Sequence, residues 1–453
     1  MTDDAALRRH WETLYERFDP DVPARERSWR VERAYSPAKR IANELARPMG
    51  GQKRFMVLGG LGSGKSTELY GIADTRSAEG PVVFVDLVQH FEERVGDIAA
   101  LDRVQPWEIL LLIGLAVFRA GEAHFEHQWS KALRDRFDAA GGAFAGDEDQ
   151  PSFDAAKLAS AVAVLAGGAL GALVGGPVGA GIGAGLAAVG ETSKSVTWRF
   201  KIGERGRPSR SDQDARVQRL LEVVNTLIGE LQAYGRKLSL FVDGLDRIKD
   251  SERIDALFVD SALLGSLECD VVLTGPMALH WGSRRKHVRK FTTKILTNAP
   301  VIDRRDPWSH SPGGPGIGLC VELYRRRTTD LPPELIDEAH LRELAYYSGG
   351  RMREFVRLIR TLAGPAWDRS LAVADRDAVE QAIEELRAET EAGLSTRHLR
   401  ILRGLLEDPG ELPDDPLVGE MLDVCLILPY PNESEWYLPH PLLLKVKLPR
   451  PSG

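Results

Sequence analysis

Lys65 and Ser66 close a run of eight residues, Gly59-Gly60-Leu61-Gly62-Ser63-Gly64-Lys65-Ser66, that fits the spacing G-x-x-x-x-G-K-[ST]. Residues of these types at this spacing can hold phosphate. The glycines let the backbone curl with its N–H groups inward. The Lys65 ammonium can reach β- and γ-phosphates, and the Ser66 hydroxyl can complete a Mg²⁺ shell. A second group of chemically apt residues lies in 237–247, KLSLFVDGLDR, where an apolar run ends in Asp243 and Asp246 follows three positions on. An acid at the carboxyl end of a buried parallel strand can hold Mg²⁺, usually through water, and Asp246 is spaced to orient or deprotonate an attacking water. An ordinary strand ending in an N-cap aspartate would read the same way locally, and it is the upstream loop that favours the catalytic reading. A third run, Asp270 to Met277 (DVVLTGPM), carries Thr274 near its end, a polar side chain at the height of a γ-phosphate.

These residues need a scaffold, and the sequence supplies it. Phe55 to Leu58 is a short apolar run suited to a buried strand, and Thr67 onward can continue as a helix, giving strand–loop–helix order around the loop. Residues 81–89 read as a second buried strand, and 106–120 (PWEILLLIGLAVFRA) as an apolar helix against the sheet. Ala215 to Tyr234 reads as an amphipathic helix and Thr293 to Ile302 as a further strand. Upstream, Ser36-Pro37 before AKRIANELAR reads as an N-capped lead-in helix. From Leu331 the pattern becomes helical, with ELIDEAHLRELAYYSGG stopped by Gly349-Gly350, then RMREFVRLIRTLAG and DRDAVEQAIEELRAET. Arg353 sits at the start of the second of these, where a cation opposes the helix dipole unless something anionic is near. The stretch from Thr396 pairs the helices RHLRILRGLLED and DPLVGEMLDVCLI with a hairpin-like end, PYPNESEWYLPHPLL, which suggests a winged-helix module.

Composition bounds the alternatives. With 453 residues, 43% apolar and 28% charged, the chain can build two or three domains with cores. A net charge of −7 gives no whole-chain field toward nucleic acid or anionic lipid. Cys269, Cys320 and Cys425 are far apart, which argues against a disulfide framework or a zinc site and suits a cytoplasmic protein; the polar N-terminus carries no secretory signal. His124 and His127 lie three apart but lack a third metal ligand.

Two segments stay open on sequence alone. From Leu158 to Gly190 no residue is charged, and Gly167, Gly171, Gly175, Gly179 and Gly183 fall four apart, a small-residue face of the glycine-zipper kind. Its length allows a membrane span or a hairpin at Pro177, while its Gly/Ala composition inserts weakly. It is either membrane-active, constitutively or on a trigger, or an apolar insertion that stays with the globular body. The basic run 283–290 reads as a solvated helix face, a phosphate-binding patch, or the source of an arginine finger (Arg284, Arg285 or Arg289) acting on a neighbouring subunit.

The Walker A loop GGLGSGKST and the Walker B stretch LFVDGLDR resemble those of the STAND and AAA+ P-loop ATPases. DGLDR is close to the DGLDE of STAND proteins and the DDLDR of KAP ATPases, and the KAP family also carries hydrophobic segments between these motifs. SGGRMREF resembles a sensor-2 motif, mapping the sensor arginine onto Arg353, and Thr274 matches sensor 1. WYLPHPLL is similar to winged-helix ends of origin-recognition-type and prokaryotic STAND ATPases. Arg247 departs from the STAND glutamate, and the Gly/Ala-rich insertion departs from Leu-rich KAP spans. The resemblance implies an α/β fold, a P-loop NTPase of the ASCE type with a central parallel sheet, followed by an α-helical lid and a C-terminal winged-helix-like domain. Its boundaries would be a helical lead-in over 1–50, the P-loop domain over 51–330 with the insertion at about 150–210, the lid over 331–392 and the winged helix over 393–453. It implies ATP and Mg²⁺, with Gly59, Gly60, Leu61, Gly62, Ser63, Gly64, Lys65, Ser66, Thr67, Thr274 and Arg353 at the nucleotide, Ser66 and Asp243 at the metal, and Lys65, Asp243 and Asp246 in slow hydrolysis. The function expected is a regulated ATP switch, of the kind used in bacterial signalling or defence, whose nucleotide state controls lid closure, homo-oligomerisation and exposure of the insertion to a membrane or partner. The alternatives are a DNA-associated ATPase using its winged helix, and a nucleotide-bound scaffold without turnover.

Overall fold

In the computed structural model the residues described are 2–144, 158–159, 164–166, 214–233, 237–281, 284, 287–288, 290–306, 312–431 and 436–448. The chain divides into two compact units. One is drawn from Pro37–Leu58 and Glu68–Ile295, the other from Met1–Ser36, Gly59–Thr67 and Leu296–Gly453.

The first unit holds a six-stranded sheet in the order β3-β2-β4-β5-β1-β6. Its strands are β1 Arg54–Leu58, β2 Val82–Asp86, β3 Val164–Ala166, β4 Ser239–Asp243, β5 Asp270–Gly275 and β6 Thr292–Ile295. All neighbouring pairs are parallel except β2 with β3. The four central strands read as near-continuous apolar runs because both faces are covered, as crossover helices require of a parallel sheet. Pro106–His124 is one such helix, buried nearly all round; Pro106 fits its first turn and the Glu108 carboxylate accepts from the Gln105 N–H at 2.7 Å. Ala215–Gln232 and Lys131–Gly142 pack with it, and each fully buried Leu or Ile there contributes about 1.5–3 kcal/mol.

Register sets the chemistry. Asp86 pairs with Asp243, and Leu58 with Gly275 beside Thr274 and Val57. The carboxyl edge of the sheet therefore presents Asp86, Asp243 and Thr274 together, and Gly59 continues the chain from β1 at that edge.

The second unit is helical. Thr2–Arg17 packs on Met352–Asp368, with Trp11 Nε1 donating to Leu371 O at 2.8 Å and Arg360 stacked 4.3 Å from the Tyr15 ring centre. The lid helices are Gly316–Arg327, Glu338–Tyr347, Met352–Asp368 and Arg376–Glu391. A winged-helix-like end follows, Thr396–Glu407, Leu417–Asp423, the antiparallel pair β7 Ile427–Tyr430 and β8 Trp436–Pro439, and Pro441–Val446.

Two expectations are corrected. The strand read over 293–302 is only Thr292–Ile295: beyond it Asn298 N donates to Pro429 O and Ala299 N to Gly350 O, and Pro300 has no N–H for a ladder. The helix read through Ile427 stops at Asp423: Cys425 takes φ +61°, breaking the helix, and Ile427 already belongs to β7. Within the uncharged segment 158–190, Val164–Ala166 is an edge strand paired with β2. The glycines 167–183 lie outside the described residues. Among the described residues no helix is long and apolar enough to cross a membrane.

Candidate functional site

The phosphate-loop motif lies in the helical unit. Lys65 opens the helix Lys65–Ser77, with Ser66 and Thr67 in its first turn. The loop before it needs left-handed backbone at Gly62 (φ +80°) and Gly64 (φ +96°), which favours glycine. Lys65 is buried, and its Nζ donates to Gly59 O at 2.8 Å and Gly60 O at 3.0 Å. The Ser63 N–H turns back to Gly60 O at 3.1 Å.

The other loop contacts in this unit come from residues distant in sequence. Arg351 donates to Leu61 O through Nη2 at 2.9 Å and Nε at 3.3 Å, and pairs with Glu354 at 3.4 Å. The Arg353 backbone N–H donates to Gly62 O at 3.1 Å, while its Nε donates to Pro20 O at 3.1 Å. Arg33 Nη1 donates to Ser63 O at 2.6 Å, and its guanidinium lies against the open face of Gly64. It is thus the backbone of Arg353 that meets the loop, while its guanidinium bonds Pro20 O. Arg33 and Arg351 escaped the sequence reading; for Arg351 the signal was its place as N-cap of Met352–Asp368, two residues before Arg353.

A tight turn fixes that cap. Gly349 (φ +64°) and Gly350 (φ +74°) precede Arg351, and the Gly350 carbonyl accepts from Ala299 N at 3.0 Å. A Cβ on Gly350 would collide with Ala299 O. The Tyr430 hydroxyl donates to Gly349 O at 2.9 Å, and His440 Nε2 is 3.0 Å from where a Gly349 Cβ would stand. Gly350→Ala, strained in both backbone and contact, is expected to cost about 3 kcal/mol or more in urea unfolding.

In the sheet unit the acidic motif closes on itself. Asp243 Oδ1 accepts from Gly244 N at 2.9 Å, and Thr274 Oγ1 accepts from the same N–H at 3.0 Å. Gly244 has φ +97°, and a Cβ there would lie 2.9 Å from Val88 Cγ2. The turn it makes places Asp246 in the short helix Leu245–Arg247. Thr274 is fully buried, so its hydroxyl secures the turn that carries Asp246. Thr274→Val keeps the shape and removes the acceptor; urea unfolding should show a loss of about 1 kcal/mol, and Thr274→Ser less.

Sequence reading passed over Asp86, whose signal was an acid ending the second apolar strand. It is buried, accepts from Gln89 N at 3.0 Å and Tyr70 Oη at 3.2 Å, and stands in register beside Asp243. Carboxylate oxygens are the donors a hard divalent cation such as Mg²⁺ takes, but among the described residues no three His, Cys, Asp or Glu side chains are grouped to hold a metal ion. Arg284, one of the arginine-finger candidates, is spent on Asp255, with Nε–Oδ1 at 2.7 Å and Nη2–Oδ2 at 2.9 Å, and on the Ser251 hydroxyl. Arg285 and Arg289 lie outside the described residues. His127 bonds Glu230 at 2.8 Å.

Elsewhere in the helical unit a cavity of about 520 Å³ is lined by Arg17, Glu26, Trp29, Arg327 and Asp330 among others. Arg17 and Arg327 donate reciprocally to each other's carbonyls at 2.9 Å, and Arg17 also pairs with Asp330. Burial lowers Arg327 to about 10. These arginines cap two helix ends.

No protein-family model and no curated protein sequence matches the chain. Among solved structures it is similar to the Aeropyrum pernix ORC1 protein in complex with DNA, at 13% identity over 97% of each chain with a TM-score of 0.40. It is also similar to CDC6P from Pyrobaculum aerophilum, at 12% identity over 96% of each chain with a TM-score of 0.39. The Thermotoga maritima RuvB Holliday junction branch migration motor matches 52% of this chain and 84% of its own, at 15% identity and a TM-score of 0.25.

Proposed function

We propose that the chain is an ATP-binding and ATP-hydrolysing switch of the AAA+ type, in which the phosphate loop and the helical lid respond together to the nucleotide. The observation that carries this reading is the grip of the lid on the loop: Arg351 on Leu61 O and the Arg353 N–H on Gly62 O. A phosphate settling against the loop amides has to shift, or be accommodated by, the carbonyls those residues hold, so loop occupancy and lid position are coupled. In this reading Lys65 holds β- and γ-phosphates, and the Ser66 hydroxyl and Asp243 carboxylate hold Mg²⁺, which when bound supplies charge neutralisation at the phosphates. Asp246 takes the proton of the attacking water. Thr274 holds the Gly244 turn, and Arg353 lies against the loop at Gly62.

The output fits a conditional rather than a constitutive one, with the uncharged 158–190 segment released to a membrane, a partner or a second copy in one nucleotide state. The DNA-associated alternative draws less support. Lys445 pairs with Glu384 at 2.6 Å and Lys447 with Glu391 at 3.8 Å, so these cations of the winged-helix-like end are turned to the lid. The test is Mg²⁺-dependent phosphate release from ATP by the intact chain, combined with vesicle flotation in ATP, ADP and no nucleotide. Absence of release overturns the enzyme, and flotation indifferent to nucleotide overturns the conditional output.

A further inference from the structure

Five successive carbonyls of the phosphate loop are occupied. Those of Gly59 and Gly60 accept from Lys65 Nζ, that of Leu61 from Arg351, that of Gly62 from the Arg353 N–H, and that of Ser63 from Arg33. In a planar trans peptide the C=O of one residue and the N–H of the next point in opposite directions, and no peptide among the described residues is cis. Fixing each carbonyl therefore fixes the following N–H. The N–H of residue 63 is used internally, on Gly60 O. Those of residues 60, 61, 62 and 64 are each turned away from the donor that holds the preceding carbonyl, and in the proposed role they are the amides that meet the anion.

We propose that Arg33 and Arg351 are positioning residues that preorganise the phosphate loop by holding its carbonyls. Neither is a phosphate ligand in this role. The assignment deepens the nucleotide reading above and rests on it. The physical gain is that of any preorganised donor set. Without the clamps the loop must order its amides as the anion arrives, and that ordering is subtracted from the binding free energy. Arg33 is thirty residues upstream of the carbonyl it holds, and Arg351 is 290 residues downstream of its own. The same clamp thus ties both the N-terminal segment and the lid to phosphate affinity. The two guanidinium charges also stand beside the loop and add to its pull on an anion whichever phosphate is present.

The experiment measures the affinity of the full chain for ATP, ADP and inorganic tripolyphosphate, each with Mg²⁺, for wild type, Arg33→Met, Arg351→Met, Arg33→Lys and Arg351→Lys. Thermal melting of every variant confirms folding. The expected result is a loss of roughly tenfold in each Met variant, the size of one hydrogen bond to a charged group. The factor should be the same for ATP, ADP and tripolyphosphate, with partial recovery in the Lys variants, which can reach one carbonyl without the planar fork. A loss confined to ATP over ADP would show that the arginine reads the γ-phosphate directly and overturns the positioning role. Folded Met variants with wild-type affinities overturn it as well. A wild type that binds none of the three probes overturns the nucleotide reading and this assignment together, whereas normal wild-type binding with indifferent variants removes this assignment alone. Should the Met variants fail to fold, equal affinities in Lys variants and wild type for all three probes, with no cost from the lost fork, count against the clamp.

Discussion

Lys65→Ala is expected to weaken ATP binding at least a hundredfold, about 3 kcal/mol, while Asp246→Asn binds ATP as wild type does and turns it over slowly. The Lys65 ammonium has two tasks that fail together. In the proposed reading it is the charge that meets the phosphates, where a hydrogen bond to a charged partner is worth about 1.5–3 kcal/mol. It also closes the loop on itself through Gly59 O and Gly60 O, so its removal frees two carbonyls of the cradle. Lys65→Arg, which keeps the charge, separates the two tasks: the bulkier fork cannot follow the same path in a buried position. Asp246 belongs to a different step. It sits on the turn secured by Asp243 and Thr274 through the Gly244 N–H, and the amide that replaces it cannot accept a proton. General-base loss costs typically about 10²–10⁴ in rate. Equilibrium binding and single-turnover phosphate release on the same samples check both. If Asp246→Asn releases phosphate at the wild-type rate, the base lies elsewhere, and if the wild type releases none, a bound-nucleotide scaffold is the better description.

The second large effect is acid lability through His440. The imidazole is fully buried, and burial first, then the Arg351 charge, depresses it from 6.5 to about 3. Its Nδ1 accepts from Leu442 N at 3.4 Å, capping Pro441–Val446, which needs the neutral ring. A base whose folded value is depressed binds its proton in the unfolded chain first. Stability from this group is therefore complete above about pH 6.5 and falls as pH drops toward 3. At pH 5, some 1.5 units below the unfolded value, the loss is about 2 kcal/mol, and it grows to roughly 5 kcal/mol near pH 3. Carboxylates add their own acid losses, so the measurement is a difference. His440→Asn keeps a capping acceptor without a titrating ring. Urea midpoints at pH 7.5 and pH 5 should fall further for wild type than for His440→Asn. Equal falls would mean that His440 takes up its proton in the folded chain at an ordinary pH. The consequence is functional as well as thermodynamic, because His440 and Tyr430 both pack on the Gly349–Gly350 turn that presents Arg351 to the loop.

What could be read from the sequence was local. Gly59 to Ser66 is a contiguous motif whose geometry is dictated by its own glycines, and Asp243 ends an apolar run that can only be a buried strand. Hence the loop, the acid and the parallel sheet were all legible without coordinates. The same holds for the lid helices, where apolar spacing and the Gly349–Gly350 stop mark the elements. Two boundaries failed where a tertiary influence intervened. Cys425 was read as helix because nothing local forbids it, yet its backbone is left-handed and the chain turns there into β7. The strand read from Thr293 to Ile302 ends at Ile295, since Asn298 and Ala299 bond instead to Pro429 O and Gly350 O; Val164 to Ala166, in a span the sequence left open, pairs with β2 as a strand.

Only the tertiary structure decided which partners the motif residues have. Register put Asp86 beside Asp243, and a buried hydroxyl made Thr274 the keeper of the Gly244 turn. Folding brought Arg33 and Arg351 onto two carbonyls of one loop, those of Ser63 and Leu61, although their separations from it in sequence differ nearly tenfold. Motif chemistry is encoded in neighbouring residues and so survives in the sequence. The donors that steady a motif are chosen by proximity in space, which no spacing along the chain records, and it is they that tie the phosphate loop to the N-terminal segment and the lid within its own unit.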